Sequence, residues 1–178
     1  SYYYSLARLE TTGSVSIGDY TTSVTGSSWM DHEYSTSALA ADQVGWDWFS
    51  IQMVDGTELM FFQIRQADGS VDAFSSGTWI AADGKVRRLG REDFEIAVLG
   101  QWTSPASGAV YPAGWRVRLP GEALTLEITP LVADQELNLS YDYWEGAVEV
   151  VGDFGGKTVT GVGYVELTGY AETMAGEF

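Results

Sequence analysis

Asp-Gly dipeptides divide the middle of the chain into short segments of strand-like composition. They stand at residues 55–56, 68–69 and 83–84, and Pro120-Gly121 and Gly155-Gly156 punctuate the later part. Such pairs favour tight turns, because glycine adopts positive φ angles at no steric cost. Turns about every dozen residues leave little room for long helices, and no segment keeps a 3.6-residue apolar period. The sequence therefore predicts an all-β fold.

We expect about eight to ten antiparallel strands joined by short turns. The first of them are a strand at residues 1–9 and a hairpin at residues 14–24 that turns at Gly18-Asp19. A sandwich and a closed barrel both fit this pattern, and we favour the barrel because its cavity would use the surplus of aromatic residues, 13% of the chain. The predicted domain is a single barrel over residues 1–170. Residues 171–178 carry no pattern and are expected to fray.

The clearest predicted hairpin pairs residues 46–54 with residues 57–65. On its first strand the alternation places Trp46 and Trp48 on one face and Asp47 on the other. We expect one of the two indoles to line the cavity. Both faces of the second strand, residues 57–65, are largely apolar, so we expect that strand to be covered on both sides. On the second strand the side chains that share a face include Phe61, Gln63 and Arg65.

The charge of the chain excludes some classes of partner. Nine Lys and Arg residues face 25 acidic residues, for a formal net charge of −16. Phosphate backbones need clustered cations, so we expect no nucleic-acid partner. No apolar run approaches the length of a transmembrane segment, and no leader pattern opens the sequence. The compartment stays open: either the protein is cytosolic, or a leader is absent from this sequence.

Several kinds of catalytic site lack their motifs. With one histidine and no cysteine, a metal centre would rest on carboxylates alone, and no calcium-binding loop has the required spacing. The nucleophile elbow, the phosphate-binding loop and the dinucleotide-binding motif are also missing. We therefore expect neither a metal nor a cofactor.

The single histidine lies among other ionisable groups. In a strand, Asp31 and Glu33 would point to one face, and His32 to the other with Tyr34. His32 could then act as an acid, a base or a hydrogen-bond donor in a cavity. The alternative is a structural histidine bonded to backbone carbonyls.

Asp47 is a second candidate, because it lies between two indoles. A carboxyl group against aromatic walls loses hydration, so its pKa rises and it can keep a proton for delivery. The alternative is that Asp47 pairs with Arg65 as a structural ion pair. Further polar groups beside aromatic rings lie around Trp144 and Glu166.

The motifs resemble those of the lipocalin-like family that contains carotenoid 1,2-hydratases and AttH-type proteins, often labelled predicted secreted hydrolases. The matching stretches span nearly the whole chain in order: SYYYSLARL, WMDHEYS, QVGWDWFSIQ, DGTELMFFQIR, YPAGWRVRLP, DQELNLSYDYWEGAVEVVG and GYVELTGY. The chain is similar to the second of two tandem barrels. It departs from the family pattern at Tyr34, where tryptophan is commoner. The resemblance implies a secreted or periplasmic protein whose leader is absent.

The resemblance also implies water addition to an alkene, with Asp31, His32 and Tyr34 in the site. Our first hypothesis is an enzyme for an isoprenoid or polyene-like substrate, with Asp31 or Asp47 as the acid and His32 orienting water. The second is a non-catalytic module that binds a hydrophobic small molecule, and the third is a partner for a second barrel. The expected ligand-binding residues are Tyr34, Trp46, Trp48, Phe61, Gln63, Arg65 and Trp144. We also expect the face near residues 2–4 or Phe62 to contact another barrel.

Overall fold

The computed structural model describes residues 2–35 and 39–175. The chain divides into two compact units, Ser1–Ala38 and Leu39–Phe178. The first unit is a two-stranded hairpin and the second is built on a ten-stranded sheet. Each unit is therefore described by itself.

The hairpin unit consists of strands β1 (Tyr2–Ile17) and β2 (Tyr20–Tyr34). Its ladder runs from Tyr2 opposite Tyr34 to Ile17 opposite Tyr20, and the turn between the strands includes Gly18 at φ 57°. The sequence predicted separate segments here, a strand at residues 1–9 and a hairpin at residues 14–24. The structure instead joins them into one long antiparallel pair.

The second unit contains the remaining strands and two short 3-10 turns. The ten-stranded sheet has the order β6-β5-β4-β3-β14-β13-β11-β10-β7, with β12 paired to β13, and β8 pairs with β9. Within residues 2–35 and 39–175, no helix is long and apolar enough to cross a membrane. The bounds are β3 Gln43–Met53, β4 Glu58–Gln66, β5 Ser76–Ile80, β6 Val86–Leu89, β7 Glu95–Val98, β8 Gln101–Thr103, β9 Val110–Pro112, β10 Trp115–Leu119, β11 Leu124–Pro130, β12 Glu136–Asn138, β13 Asp142–Phe154 and β14 Lys157–Leu167; the 3-10 turns are Arg91–Asp93 and Pro120–Glu122.

The predicted turns and the all-β antiparallel fold are confirmed. Gly56, Gly69 and Gly84 have φ angles of 88°, 85° and 81°, and each lies in a turn between consecutive strand segments. These angles explain why the sequence uses glycine there, since other residues reach this region only with strain.

The ten-stranded sheet curls around a shared apolar core. Phe49 on β3 contacts Trp115 on β10, with ring centroids 5.5 Å apart, although three strands separate β3 from β10 in the sheet. Trp79 on β5 and Phe154 on β13 are also separated by three strands, and their centroids lie 5.6 Å apart. Such contacts require the two halves of the sheet to face each other across the core.

Strand β3 turns Asp47, Phe49 and Ile51 toward this core, and all three are buried. Trp46 and Trp48 alternate with them, so both indoles lie on the opposite face. The inward position expected for one of the indoles is therefore wrong. Because both faces of β3 carry large apolar residues, alternation alone did not identify the core face.

The segment after β14, residues 168–175, is docked onto the sheet unit. Met174 is only 1% exposed, and its backbone N–H donates to the carbonyl of Val44 at 3.0 Å. Tyr170 packs against the core cluster. Residues 171–175 thus differ from the frayed tail that the sequence suggested, and residues 176–178 lie outside the described part of the chain.

Candidate functional site

A buried carboxyl group lies on the core-facing row of strand β3, next to the apolar residues Phe49 and Ile51. Asp47 is 2% exposed and lies opposite Gln63 in the β3–β4 ladder. Its Oδ2 accepts a hydrogen bond from Gln63 Nε2 at 3.0 Å. Its Oδ1 accepts one from Arg65 Nε at 3.1 Å and one from the Tyr170 hydroxyl at 3.0 Å. Three donors therefore fix the orientation of this carboxyl group.

Arg65 links the carboxyl group to the segment after β14. A terminal guanidinium nitrogen donates to the Thr168 carbonyl, and the guanidinium carbon lies 3.8 Å from the centroid of the Tyr170 ring. This stacking adds a cation–π attraction to the ion pair with Asp47. A Cβ at Gly45 would overlap the Thr168 carbonyl, so only glycine allows this close approach.

Burial is the largest influence on the pKa of Asp47 and raises it. The charge of Arg65 and the hydrogen bonds from Gln63 and Tyr170 oppose this effect, and the net direction is upward. The pKa of the Tyr170 hydroxyl is also raised, first by burial and then by the charge of Asp47. Asp47 thus holds a proton at higher pH than a solvated aspartate does.

Aromatic rings pack in the core beyond this polar group. Phe61 stacks on Phe49 at a centroid distance of 4.8 Å, and Tyr111 lies 5.5 Å from the Tyr170 ring. Trp144 is 1% exposed and donates from Nε1 to the Ala133 carbonyl at 2.8 Å. The structure therefore brings Asp47, Gln63 and Arg65 into direct contact, and places Phe61 and Trp144 in the same core.

A second carboxylate binds the turn between β8 and β9. Glu136 accepts hydrogen bonds from the hydroxyls of Ser107 at 2.5 Å and Tyr111 at 2.9 Å, and another from Ser104. Burial alone would raise the pKa of Glu136, but the hydrogen bonds together outweigh it and lower the pKa. Both carboxylate oxygens are used, so this cluster is structural.

Glu136 is expected to make stability depend on pH. A folded-state pKa below the unfolded value stabilises the protein above that value, 4.5, and this stabilisation is lost as the pH falls through the folded pKa. The advantage of the wild type over Glu136→Gln in free energy of unfolding should therefore shrink between pH 7 and about pH 3. Urea denaturation of both proteins across this pH range measures the difference in free energy of unfolding. A difference that stays constant with pH would contradict the prediction.

The expected ligand-binding residues Trp46 and Trp48 lie on the other face of β3. Trp46 Nε1 donates to Glu166 at 2.6 Å, and its ring meets that of Tyr143 edge-on at 6.4 Å. Trp48 lies opposite Glu166 in the β3–β14 ladder. In β13, Glu145 pairs with Glu166 across the ladder, so carboxylates and aromatic rings share this face.

The hairpin unit holds the other two expected catalytic residues on opposite faces. Asp31 is exposed, and its Oδ1 accepts hydrogen bonds from Ser5 at 2.6 Å, from Trp29 Nε1 at 2.9 Å and from the Tyr3 hydroxyl. His32 points to the other face, as the alternation predicted. Neither residue belongs to the unit that contains Asp47.

Two tyrosine rings contact the ring of His32. Its ring stacks on Tyr4 at 5.4 Å and meets Tyr34 edge-on at 5.6 Å, while Nδ1 lies 3.4 Å from the Tyr4 hydroxyl. Tyr34 in turn stacks on Tyr2 at 5.3 Å. Within the described residues, no group of three or more His, Asp or Glu is arranged to hold a metal ion.

Sequence reasoning missed Tyr170 and Glu136 as partners of candidate residues. Tyr170 lies 123 positions from Asp47, and Glu136 lies 25 positions from Tyr111, so no local pattern connects them. A weak signal existed for Tyr170, which follows a glycine directly after an apolar strand and ends the matching stretch GYVELTGY.

Comparison with known proteins gives a family and a fold. The AttH-like family matches residues 1–170. A crystal structure of a provisionally named AttH from Nitrosomonas europaea is 37% identical, with a TM-score of 0.86, and the match covers 95% of this chain and 52% of that one. Kievitone hydratase from Nectria haematococca is 18% identical, with a TM-score of 0.78, over 96% of this chain and 53% of that one. The chain thus spans about half the length of these proteins, and no curated protein matches it.

Proposed function

Because the chain belongs to the AttH-like family, whose fold is lipocalin-like, we propose that it binds an apolar small molecule and adds water to an alkene by acid–base chemistry. The fold that it shares with kievitone hydratase supports the reaction class, since that protein is named a hydratase. Isoprenoid and polyene-like molecules carry suitable alkenes. The two relatives are about twice as long as this chain. The activity of the whole protein is therefore also part of the proposal.

The observation that carries the proposal is the buried Asp47 carboxyl group beside aromatic rings. Protonating an isolated alkene forms a carbocation, so the reaction needs an acid that keeps its proton away from bulk water. Burial raises the pKa of Asp47 as this role requires. Tyr170 and the Phe49–Phe61 stack provide π-faces of the kind that stabilise a cation.

Asp31 is the competing acid. Its Oδ1 accepts hydrogen bonds from three donors, but the side chain is exposed, so a carbocation formed beside it would meet bulk water. His32, also exposed on the hairpin, stays a proposed water-orienting residue.

The test is water addition to defined alkenes. We expect the chain, incubated with kievitone or an acyclic isoprenoid polyene in oxygen-18 water, to yield a product heavier by one labelled water. Boiled protein provides the control. If both alkenes are recovered unchanged while they bind, the catalytic proposal is contradicted.

The second candidate function is binding without turnover. The Asp47–Arg65 ion pair favours it, because a buried pair with all its donors placed also serves as a structural link between strands. In this case the polyene would quench tryptophan fluorescence at saturation, and mass spectrometry would detect no product.

A second barrel is the proposed partner. On the hairpin, Tyr2 and Tyr34 are 73% and 56% exposed and stack on each other, although rings of this size usually pack against another surface. We expect this face to contact an N-terminal domain or a second copy. Sedimentation of the chain should show a dimer if the mate is a second copy, and Tyr2→Ser/Tyr34→Ser should dissociate it. A dimer that survives both changes would exclude this face.

A further inference from the structure

The segment of residues 168–175 closes the polar end of the core. Thr168 and Met174 are buried, and Tyr170 donates a hydrogen bond to Asp47. We call this segment the strap. It has no regular secondary structure, and it lies against the first residues of β3, next to Asp47.

Two backbone–backbone hydrogen bonds hold the strap to the sheet, one from the Thr168 N–H to the Trp46 carbonyl and one from the Met174 N–H to the Val44 carbonyl. Side chains add the bond from the Trp46 N–H to the Thr168 hydroxyl, the Tyr170 hydroxyl bond to Asp47 and the Arg65 bond to the Thr168 carbonyl. The Tyr170 ring also packs on Arg65 and on Tyr111. No strand ladder includes these residues, whereas the neighbouring strands β3 and β14 are each paired on both sides. Segments with so few backbone bonds open locally at lower free energy than the sheet does.

Opening the strap would uncover the polar groups that now lie beneath it. Asp47 would lose the Tyr170 hydroxyl, and Arg65 would lose the Thr168 carbonyl, while Gln63 would stay bonded to Asp47 within the sheet. The aromatic stack of Phe49 and Phe61 lies on the same core-facing row beyond Asp47. The uncovered end would thus offer polar groups at the mouth and apolar rings inside.

We propose that the strap is the movable cover of the ligand entrance, and that an apolar molecule with one polar end reaches Asp47 when the strap opens. This inference rests on the proposed ligand-binding function. It accounts for how a buried carboxyl group meets a substrate without unfolding of the sheet. Lid segments that open while the scaffold stays folded commonly control such access.

Thiol labelling tests whether the strap opens alone. The chain has no cysteine, so Met174→Cys introduces a single buried thiol on the strap itself, and Val150→Cys places a matched buried thiol in strand β13. With Ellman's reagent we expect Met174→Cys to react at least tenfold faster, at a rate that depends little on urea. Equal rates with equal urea dependence would overturn the proposal, because the thiol would then react only after global unfolding.

Uptake of cis-parinaric acid, a fluorescent polyene with one carboxylate, tests the entrance. Stopped-flow energy transfer from tryptophan should show uptake about tenfold faster in Met174→Ala, which weakens the strap without touching Asp47. Val132→Ala, an exposed apolar position, is the matched control and should leave the rate unchanged. Equal rates in Met174→Ala and the wild type would overturn the strap as the entrance while leaving ligand binding intact. No transfer in any variant would contradict ligand binding itself, and the entrance with it.

Discussion

Replacing Arg65 with leucine is expected to lower the free energy of unfolding by about 3–5 kcal/mol. Arg65 is the cation that faces the buried Asp47, and its removal leaves a desolvated carboxyl group that must stay charged without its partner or take up a proton. The strap would also lose its bond from Arg65 to the Thr168 carbonyl. Urea denaturation of the full chain measures the effect.

Two further variants separate the pair from a general effect of losing arginine. Arg116→Leu removes an exposed arginine that pairs with Glu127 at 2.7 Å, and we expect almost no change. Asp47→Asn/Arg65→Leu removes both charges and should recover much of the stability lost in Arg65→Leu. If Arg65→Leu costs no more than Arg116→Leu, the Asp47–Arg65 pair does not hold this end of the sheet.

Asp47→Asn is expected to slow water addition by about 10²–10⁴-fold, while binding of the alkene is kept. The amide has the same shape and can still accept bonds from Arg65 and Tyr170, but it cannot deliver the proton. Single-turnover kinetics with the alkene that shows activity would measure the loss, and thermal unfolding would confirm that the variant is folded.

Asp31→Asn is the matched comparison for this prediction. Asp31 is a carboxylate with three donors like Asp47, but it is exposed and lies in the hairpin unit. We expect its replacement to change turnover less than tenfold. If Asp31→Asn is inactive and Asp47→Asn is active, the proton donor is Asp31 on the hairpin and not Asp47.

Local chemistry made much of the fold predictable from the sequence. The Asp-Gly turns define the order of β3 to β6, because a positive φ angle at Gly56, Gly69 and Gly84 is a local requirement. The alternation of residues in β2 also predicts that Asp31 and His32 lie on opposite faces, as the structure shows. The contact between Asp47 and Arg65 was one of two open alternatives, and the ladder that pairs Asp47 with Gln63 explains it, since Arg65 shares that face two residues on.

Other features depend on partners far away in the sequence. Strand β3 has large apolar residues on both faces, so only the packing of Phe49 on Trp115 identifies the core side and places Trp46 outside. The strap lacks any periodic pattern, and its position depends on Gly169 at φ 70°, Tyr170 and Met174 meeting partners more than a hundred residues away. Apart from the Gly169-Tyr170 pair, the sequence of this segment therefore contains no local signal of its role.

A structure of the chain with a bound alkene, solved by crystallography, tests the central claim most directly. The account predicts the alkene at the polar end of the core, with a double-bond carbon about 3–3.5 Å from an Asp47 carboxyl oxygen. The Tyr170 ring should then be displaced or lie against the ligand. An alkene held against Asp31, with the bonds from Gln63, Arg65 and Tyr170 to Asp47 unchanged, would contradict it.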